Sequence, residues 1–194
     1  MSPSDLMDKL VLVSHSPQRV ELLRKAGYRF DIVEPAFEEP RHKPPHLTPA
    51  QHVQAMAFFK AASVAEQHPD QLLLGADTVI SAGADLFGKP VDRADARRMV
   101  SILTRRPHQV ITGLALLAPA LDRRIIADDV TTVYMKPMAD AELETYLDSN
   151  AWQGKAGAYG LQAGADAFVE RIEGSFSNVI GLPMELLSRL LKQF

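Results

Sequence analysis

The chain has 194 residues, enough for one substantial domain or two lobes sharing a core, and 46% of them are hydrophobic, which argues against disorder. A formal net charge of −3 removes the broad cationic face that non-specific binding to duplex DNA requires, and the lack of cysteine excludes disulfides and thiolate metal sites. The opening MSPSDLMDKL lacks the basic start and apolar core of a signal peptide, and no apolar run is long enough to span a membrane, so a soluble, cytoplasmic protein is expected, without membrane or nucleic-acid partners.

Leu10 to Val13 predicts a strand, stopped by the polar turn Ser14-His15-Ser16-Pro17 and followed by a helix that runs to Gly27. Ser16 stands where an N-cap would sit, and Pro17 falls at the first helical position, where its missing N–H is harmless. Such a helix start offers unpaired N–H groups and a positive dipole end, which suit phosphate; Ser14, Ser16 and Arg19 at the same spot strengthen that reading. Phe30 to Val33 predicts a second strand, and Pro35 to Pro49 an irregular loop. Thr48-Pro49 opens a long helix expected to reach about His68, with Val53, Met56, Ala57, Phe59, Ala61 and Val64 on its apolar side.

Leu72 to Ile80 has the pattern of a buried strand, broken by Gly75 and Asp77, and Gly83 to Gly88 that of a hairpin turn. Asp92 caps a helix with Asp95 at its third position, ending near Arg106-Pro107. Val110 to Leu117 and Ile125 to Met135 read as two long strands joined around Pro119 to Arg123. A helix from about Ala139 to Asp148, a Gly/Ala-rich stretch, a strand at Phe168 to Ile172 and a helix from Pro183 through Leu191 complete the chain. The alternation predicts α/β, the adjacent strands a mixed sheet, and the absence of a linker a single domain over 1–194.

Asp77 is the sharpest candidate for chemistry. A carboxylate inside LLLGADTVI is costly unless paired, hydrogen-bonded or on a metal, so it reads either as an Asp bonded to nearby backbone or as a general base or metal ligand. Lys89, fixed by Pro90, can present a compact charge to phosphate. Lys60, beside Phe58 and Phe59, reads on sequence alone as a snorkelling side chain. Glu38 and Glu39 are loop carboxylates that gain meaning if the loop folds toward Asp77, where several oxygens would hold Mg²⁺ or Mn²⁺. In GKAGAYGLQAG, Tyr159 either packs on a base or fills the core, and Gln162 suits a nucleobase edge because it donates and accepts at once. Ser175, Ser177 and Asn178 precede the last helix in a second, weaker anion arrangement. The histidines lack metal-ligand spacing, and no nucleophile elbow, Walker A or dinucleotide fingerprint is present.

Taken together, SHSPQRVELL at Ser14, the pair at Glu38, Lys60, GADTVI at Gly75, GKPVD at Gly88, HQVITG at His108, KAGAYGLQ at Lys155 and GSFSNVIGLP at Gly174 resemble the Maf proteins over nearly the whole length. The resemblance implies an inosine-triphosphatase-like fold: a mixed, twisted sheet with flanking helices and two lobes around a central cleft. It implies a divalent-metal-dependent pyrophosphatase in which water attacks the α-phosphorus of a nucleoside triphosphate, yielding the monophosphate and pyrophosphate. Asp77 matches the family's catalytic base, and Ser14, Arg19, Glu39, Lys60 and Lys89 its phosphate- and metal-handling positions. Thr78 and Gln162 match the branch that takes dTTP and UTP, whereas Gln18 stands where that branch has an arginine. Alternatives within the resemblance are a broader-range or 7-methyl-GTP enzyme, or a nucleotide-binding regulator of septum formation with little turnover. It also suggests a homodimer through the Val110 to Met135 strands, whose apolar residues equally fit a core.

Overall fold

Four consecutive apolar residues form β1 (Leu10–Val13), buried on both faces, as a strand in the middle of a parallel sheet must be. The computed structural model describes residues 10–38, 40, 46–161 and 167–194. Along the chain follow α1 (Pro17–Lys25), β2 (Phe30–Val33), α2 (Pro49–Ala62), β3 (Leu72–Ala82), β4 (Asp85–Phe87) and α3 (Arg93–Leu103). Then come β5 (His108–Ala118), β6 (Arg123–Met135), α4 (Asp140–Asp148), β7 (Val169–Glu173), α5 (Phe176–Ile180) and α6 (Met184–Leu191). The seven strands form a mixed sheet in the order β2-β1-β3-β5-β6-β7, with β4 paired to β3. β1 is parallel to both β2 and β3, whereas the β3–β4 and β6–β7 pairs are antiparallel. The expected α/β class with a mixed, helix-flanked sheet is what the chain adopts.

The described chain divides into two compact units. The first comprises Met1–Asp77, Thr112–Asp129 and Gly181–Phe194, and its strands alternate strictly. Leu10, Leu12, Leu72, Leu74, Leu114 and Leu116 face a core completed by Leu23 of α1 and Leu187 and Leu190 of α6. Val11, Val13, Leu73, Ala115 and Leu117 face a second core completed by Ala57 and Ala61 of α2. Helices thus cover both faces of the sheet in this unit. The second unit comprises Thr78–Ile111 and Val130–Ile180 and has one core, in which Phe87, Leu103, Val133, Leu147, Trp152 and Tyr159 are buried.

Two glycines let α2 lie against the sheet. A Cβ on Gly75 would stand 2.1 Å from the Ala57 carbonyl oxygen, and one on Gly113 would stand 2.4 Å from Val53 backbone atoms. Gly75 is therefore a site of close approach within β3, not a break in it.

Several boundaries differ from those the sequence suggests. α2 stops at Ala62 instead of continuing to His68. The Ser63 hydroxyl donates to the Lys60 carbonyl at 2.7 Å, the acceptor that Val64 would need to extend the helix, and Val64 N–H turns to Ala61 instead. α3 ends at Leu103; the Val100 carbonyl accepts from both the Thr104 N–H at 3.0 Å and the Thr104 hydroxyl at 2.9 Å. β5 is core along almost its whole length, while β6 leaves Ile126 and Val130 exposed. The five-residue α5 was not expected. No helix among the described residues is long and apolar enough to cross a membrane.

Candidate active site

In the first unit β1 leads to β2 on one side of it, and the chain then crosses back to β3 on the other. In open α/β sheets such a reversal of strand order leaves a crevice at the strands' carboxyl ends, the usual place for a ligand. Ser14 sits there, one residue beyond the end of β1, with its N–H on the Val33 carbonyl at 3.1 Å. Its hydroxyl oxygen accepts from the Ser16 N–H at 3.1 Å and from an Arg19 Nη at 3.3 Å. A cavity of about 420 Å³ opens beside this turn, with Ser14, His15, Arg24, Ile32 and Glu34 among its walls.

Ser16 occupies the expected N-cap position, but its side chain does not cap the helix; the hydroxyl donates to Gln18 Oε1 at 3.1 Å. Arg19 is buried, and two of its nitrogens point inward. Nε donates to the Gly181 carbonyl at 2.9 Å and Nη1 to the Ala76 carbonyl at 2.8 Å. In this structure the guanidinium braces the backbone that carries Asp77 and shares Ser14.

Strand alternation puts Leu73, Gly75 and Asp77 on the α2 side of β3. On α2, Val53, Ala57, Lys60 and Ala61 are all buried and make one stripe at helical spacing. Lys60 is therefore not a snorkelling side chain. It is 6% exposed, and its ammonium donates to Asp77 Oδ1 at 2.6 Å, with Asp77 itself 8% exposed. The pairing meets the requirement that a carboxylate at this point in a buried strand have a partner.

The loop carrying Glu38 lies along the end of α2. The Ala36 N–H donates to the Ser63 hydroxyl at 3.0 Å, and the Phe37 ring stacks on Phe59 with centroids 5.5 Å apart. Glu38 is exposed. Glu39 and Gln162 lie outside the described residues. Among the described residues no group of three or more His, Asp or Glu side chains is arranged to hold a cation, and Asp77 is the one buried carboxylate among them.

The second unit holds Thr78, half-buried on β3, and Lys89, exposed after β4. It also holds the 155–161 loop. Gly157 N–H donates to the Gly88 carbonyl at 2.9 Å, Tyr146 OH to the Ala158 carbonyl at 3.1 Å, and Lys155 Nζ to the Ala151 carbonyl. Burial lowers the Lys155 pKa and pushes that of Tyr146 up to about 12. Tyr159 is a core residue, its hydroxyl 2.7 Å from His108 Nε2 and its ring edge-on to the imidazole. Burial pushes the His108 pKa down to about 4, against small opposing effects from the Arg106 and Leu103 backbones.

The Ser175 to Asn178 segment is tied to β6 by side-chain hydrogen bonds. Thr131 Oγ1 receives the Ser175 N–H at 3.0 Å and Asn178 Nδ2 at 2.9 Å, while the Ser175 hydroxyl oxygen accepts from the Asn178 N–H at 3.1 Å. The reading of the sequence did not identify Thr131, Ser63 or the His108–Tyr159 pair. Apart from the Ser63 bond to Lys60, the partners named here lie from 27 to 51 residues away along the chain, beyond the reach of local patterns.

The family model for Maf-like proteins matches residues 9–194. A dTTP/UTP pyrophosphatase from Geobacter metallireducens is 41% identical over 91% of this chain and 91% of its own length. One from Symbiobacterium thermophilum is 38% identical over 97% and 95%. Among solved structures, the Ham1 protein of Staphylococcus aureus aligns with a TM-score of 0.55 at 9% identity, covering 95% of this chain and 98% of that one. A HAM1 protein from Coxiella burnetii gives 0.50 at 16% identity with the same coverage. At those identities the structural matches bear on the fold alone, and they agree with the helix-flanked mixed sheet. Through the family match along nearly its full length and through these sequence relatives, the chain belongs to the Maf family.

Proposed function

We propose that the protein is a nucleoside triphosphate pyrophosphatase that cleaves between the α- and β-phosphates, releasing a nucleoside monophosphate and pyrophosphate, with dTTP and UTP as its preferred substrates. The observation that carries this reading is the buried Lys60–Asp77 pair on the backbone braced by Arg19, beside the Ser14 turn at the carboxyl ends of parallel strands. The substrate preference rests on the names of the relatives and on Thr78 and Gln162.

In this mechanism Asp77 takes the proton of the water that attacks the α-phosphorus. Lys60 holds the carboxylate in one orientation and keeps a positive charge beside a crowded anion. Ser14 and the first turn of α1 receive phosphate oxygens, and Lys89 adds a compact charge. The donor set fits Mg²⁺ or Mn²⁺, because such cations commonly bind through one or two carboxylates together with water and substrate phosphates. Asp77, Glu38 and Glu39 are the candidate protein ligands. When bound, the cation screens the phosphate charge and polarises the phosphoryl group under attack.

The test is pyrophosphate release from a panel of nucleoside triphosphates with Mg²⁺ or Mn²⁺, comparing the wild type with Asp77→Asn. Loss of the general base should lower kcat by about 10²- to 10⁴-fold while the far-ultraviolet spectrum is retained. Equal turnover by the two proteins would remove Asp77 from this role. Nucleotide binding without turnover by the wild type would favour the regulatory alternative.

A further inference from the structure

Gly157 and Ala158 both hold positive φ, at 67° and 62°. An alanine stays in the left-handed region only where its surroundings over-determine it. Here the restraints come from consecutive residues of the loop. A Cβ at Gly157 would stand 2.4 Å from Ile80 Cδ1, so the loop backbone is packed tightly on β3. Gly157 N–H is bonded to the Gly88 carbonyl, the Ala158 carbonyl to the Tyr146 hydroxyl, and the Tyr159 hydroxyl to His108 at the start of β5. His108 and Tyr159 are 2% and 4% exposed, and each is the other's side-chain partner. Gly88 is the residue before Lys89, so the hydrogen bond from Gly157 ties the strained loop to the backbone on which that exposed cation stands.

We infer that His108 and Tyr159 are positioning residues for nucleotide binding. Their hydrogen bond fixes the left-handed turn at Ala158, which aims Gly157 N–H at Gly88 and so sets the Lys89 backbone. The inference rests on the pyrophosphatase reading for what Lys89 does, but not for how the loop is held. The catalytic step makes no use of the pair, and its chemistry is that of a clamp: two neutral side chains joined at 2.7 Å inside a packed core.

Two measurements test it. In steady-state kinetics with UTP, Tyr159→Phe keeps the ring and loses the hydroxyl. KM should rise about fivefold, the size expected when one ordinary hydrogen bond is lost, with kcat within about twofold. His108→Gln can replace the imidazole Nε2 and should retain near wild-type KM, whereas His108→Leu should match Tyr159→Phe. In the Lys89→Ala background Tyr159→Phe should add nothing, because the two changes act through one group. Independent, multiplying losses would overturn the inference, since a merely structural role produces them. The second measurement is hydrogen exchange, which needs no activity. Peptides covering 86–90 and 155–161 should exchange faster in Tyr159→Phe, while β1 stays protected. Unchanged exchange there would overturn the clamp even if the enzyme cleaves UTP. A wild type that releases no pyrophosphate would defeat the pyrophosphatase reading, leaving the exchange result to decide the clamp.

Discussion

Among the described residues the first unit buries Arg19, Lys60 and Asp77 beside the neutral Ser14 and Thr112; in the second, the buried polar side chains are Thr104, His108, Thr131, Ser177 and Asn178, with Tyr159 among the core residues. The described charges that are buried thus all lie in one unit, whereas the other, near neutral pH, buries only neutral polar groups among its described residues, and the two kinds of burial act differently. A buried ion pair is poor stabilisation, because desolvation offsets most of the Coulomb gain and an apolar pair of similar volume often does as well or better. Its presence beside the phosphate-suited turn therefore points to chemistry. Neutral hydrogen-bonded groups such as Thr131 with Asn178 fix backbone at little electrostatic cost, and they point to the shape of loops.

The sharpest way to break the contrast is to strand one charge of the pair. Lys60→Met leaves Asp77 buried without its cation and should destabilise the protein by about 3–5 kcal/mol in urea unfolding near pH 7. Adding Asp77→Leu should recover most of that loss while leaving turnover abolished. A double variant as unstable as the single one would show that packing, not charge, governs this site.

Next in size is the pH response of the neutral unit. His108 in the folded protein has a pKa of about 4, against an ordinary value of 6.5. Between those values the unfolded chain binds a proton on this residue that the folded protein refuses. The stability His108 contributes is therefore whole above pH 6.5 and is lost as pH falls toward 4, by about 3 kcal/mol over the window. Unfolding of wild type and His108→Gln across that range measures it. The variant should show a shallower loss, and parallel curves would mean that other groups set the acid limit.

How much of this was legible depends on the distance over which each feature is determined. The strand over Leu72 to Ile80, the helix start at Thr48-Pro49 and the cap at Asp92 are local, and the structure has them where the sequence puts them. The N-cap at Ser16 was legible as a position but not as a hydrogen bond, because Gln18 competes for the hydroxyl. Beside Phe58 and Phe59, Lys60 reads locally as a snorkelling side chain. Its burial depends on how close α2 lies to the sheet, and that depends on Gly75 and Gly113 accepting backbone contact. α2 was drawn too long because one hydroxyl, Ser63, decides its end. The Asp77 anomaly was visible at once, but its partner 17 residues back was not, since either partner looks unremarkable until the helix is docked.

The smallest effect concerns charge at the surface of the same neutral unit. Arg93 reaches Glu144 at 2.7 Å and Asp148 at 2.6 Å, and Arg97 reaches Glu144 at 2.9 Å, joining α3 to α4. The carboxylates hold the Arg93 pKa above its ordinary value, yet the side chain is 46% exposed. Exposed pairs lose much of their attraction to solvent and the rest to side-chain entropy and salt. Arg93→Ala should therefore leave the urea midpoint unchanged within error at about 0.5 M salt, with any shift confined to low ionic strength. The Lys60→Met loss should persist at both, because a desolvated pair is little screened. Equal salt sensitivity in the two variants would mean that the Lys60–Asp77 pair is hydrated in solution, and the distinction between charge buried for chemistry and charge worn at the surface would fail.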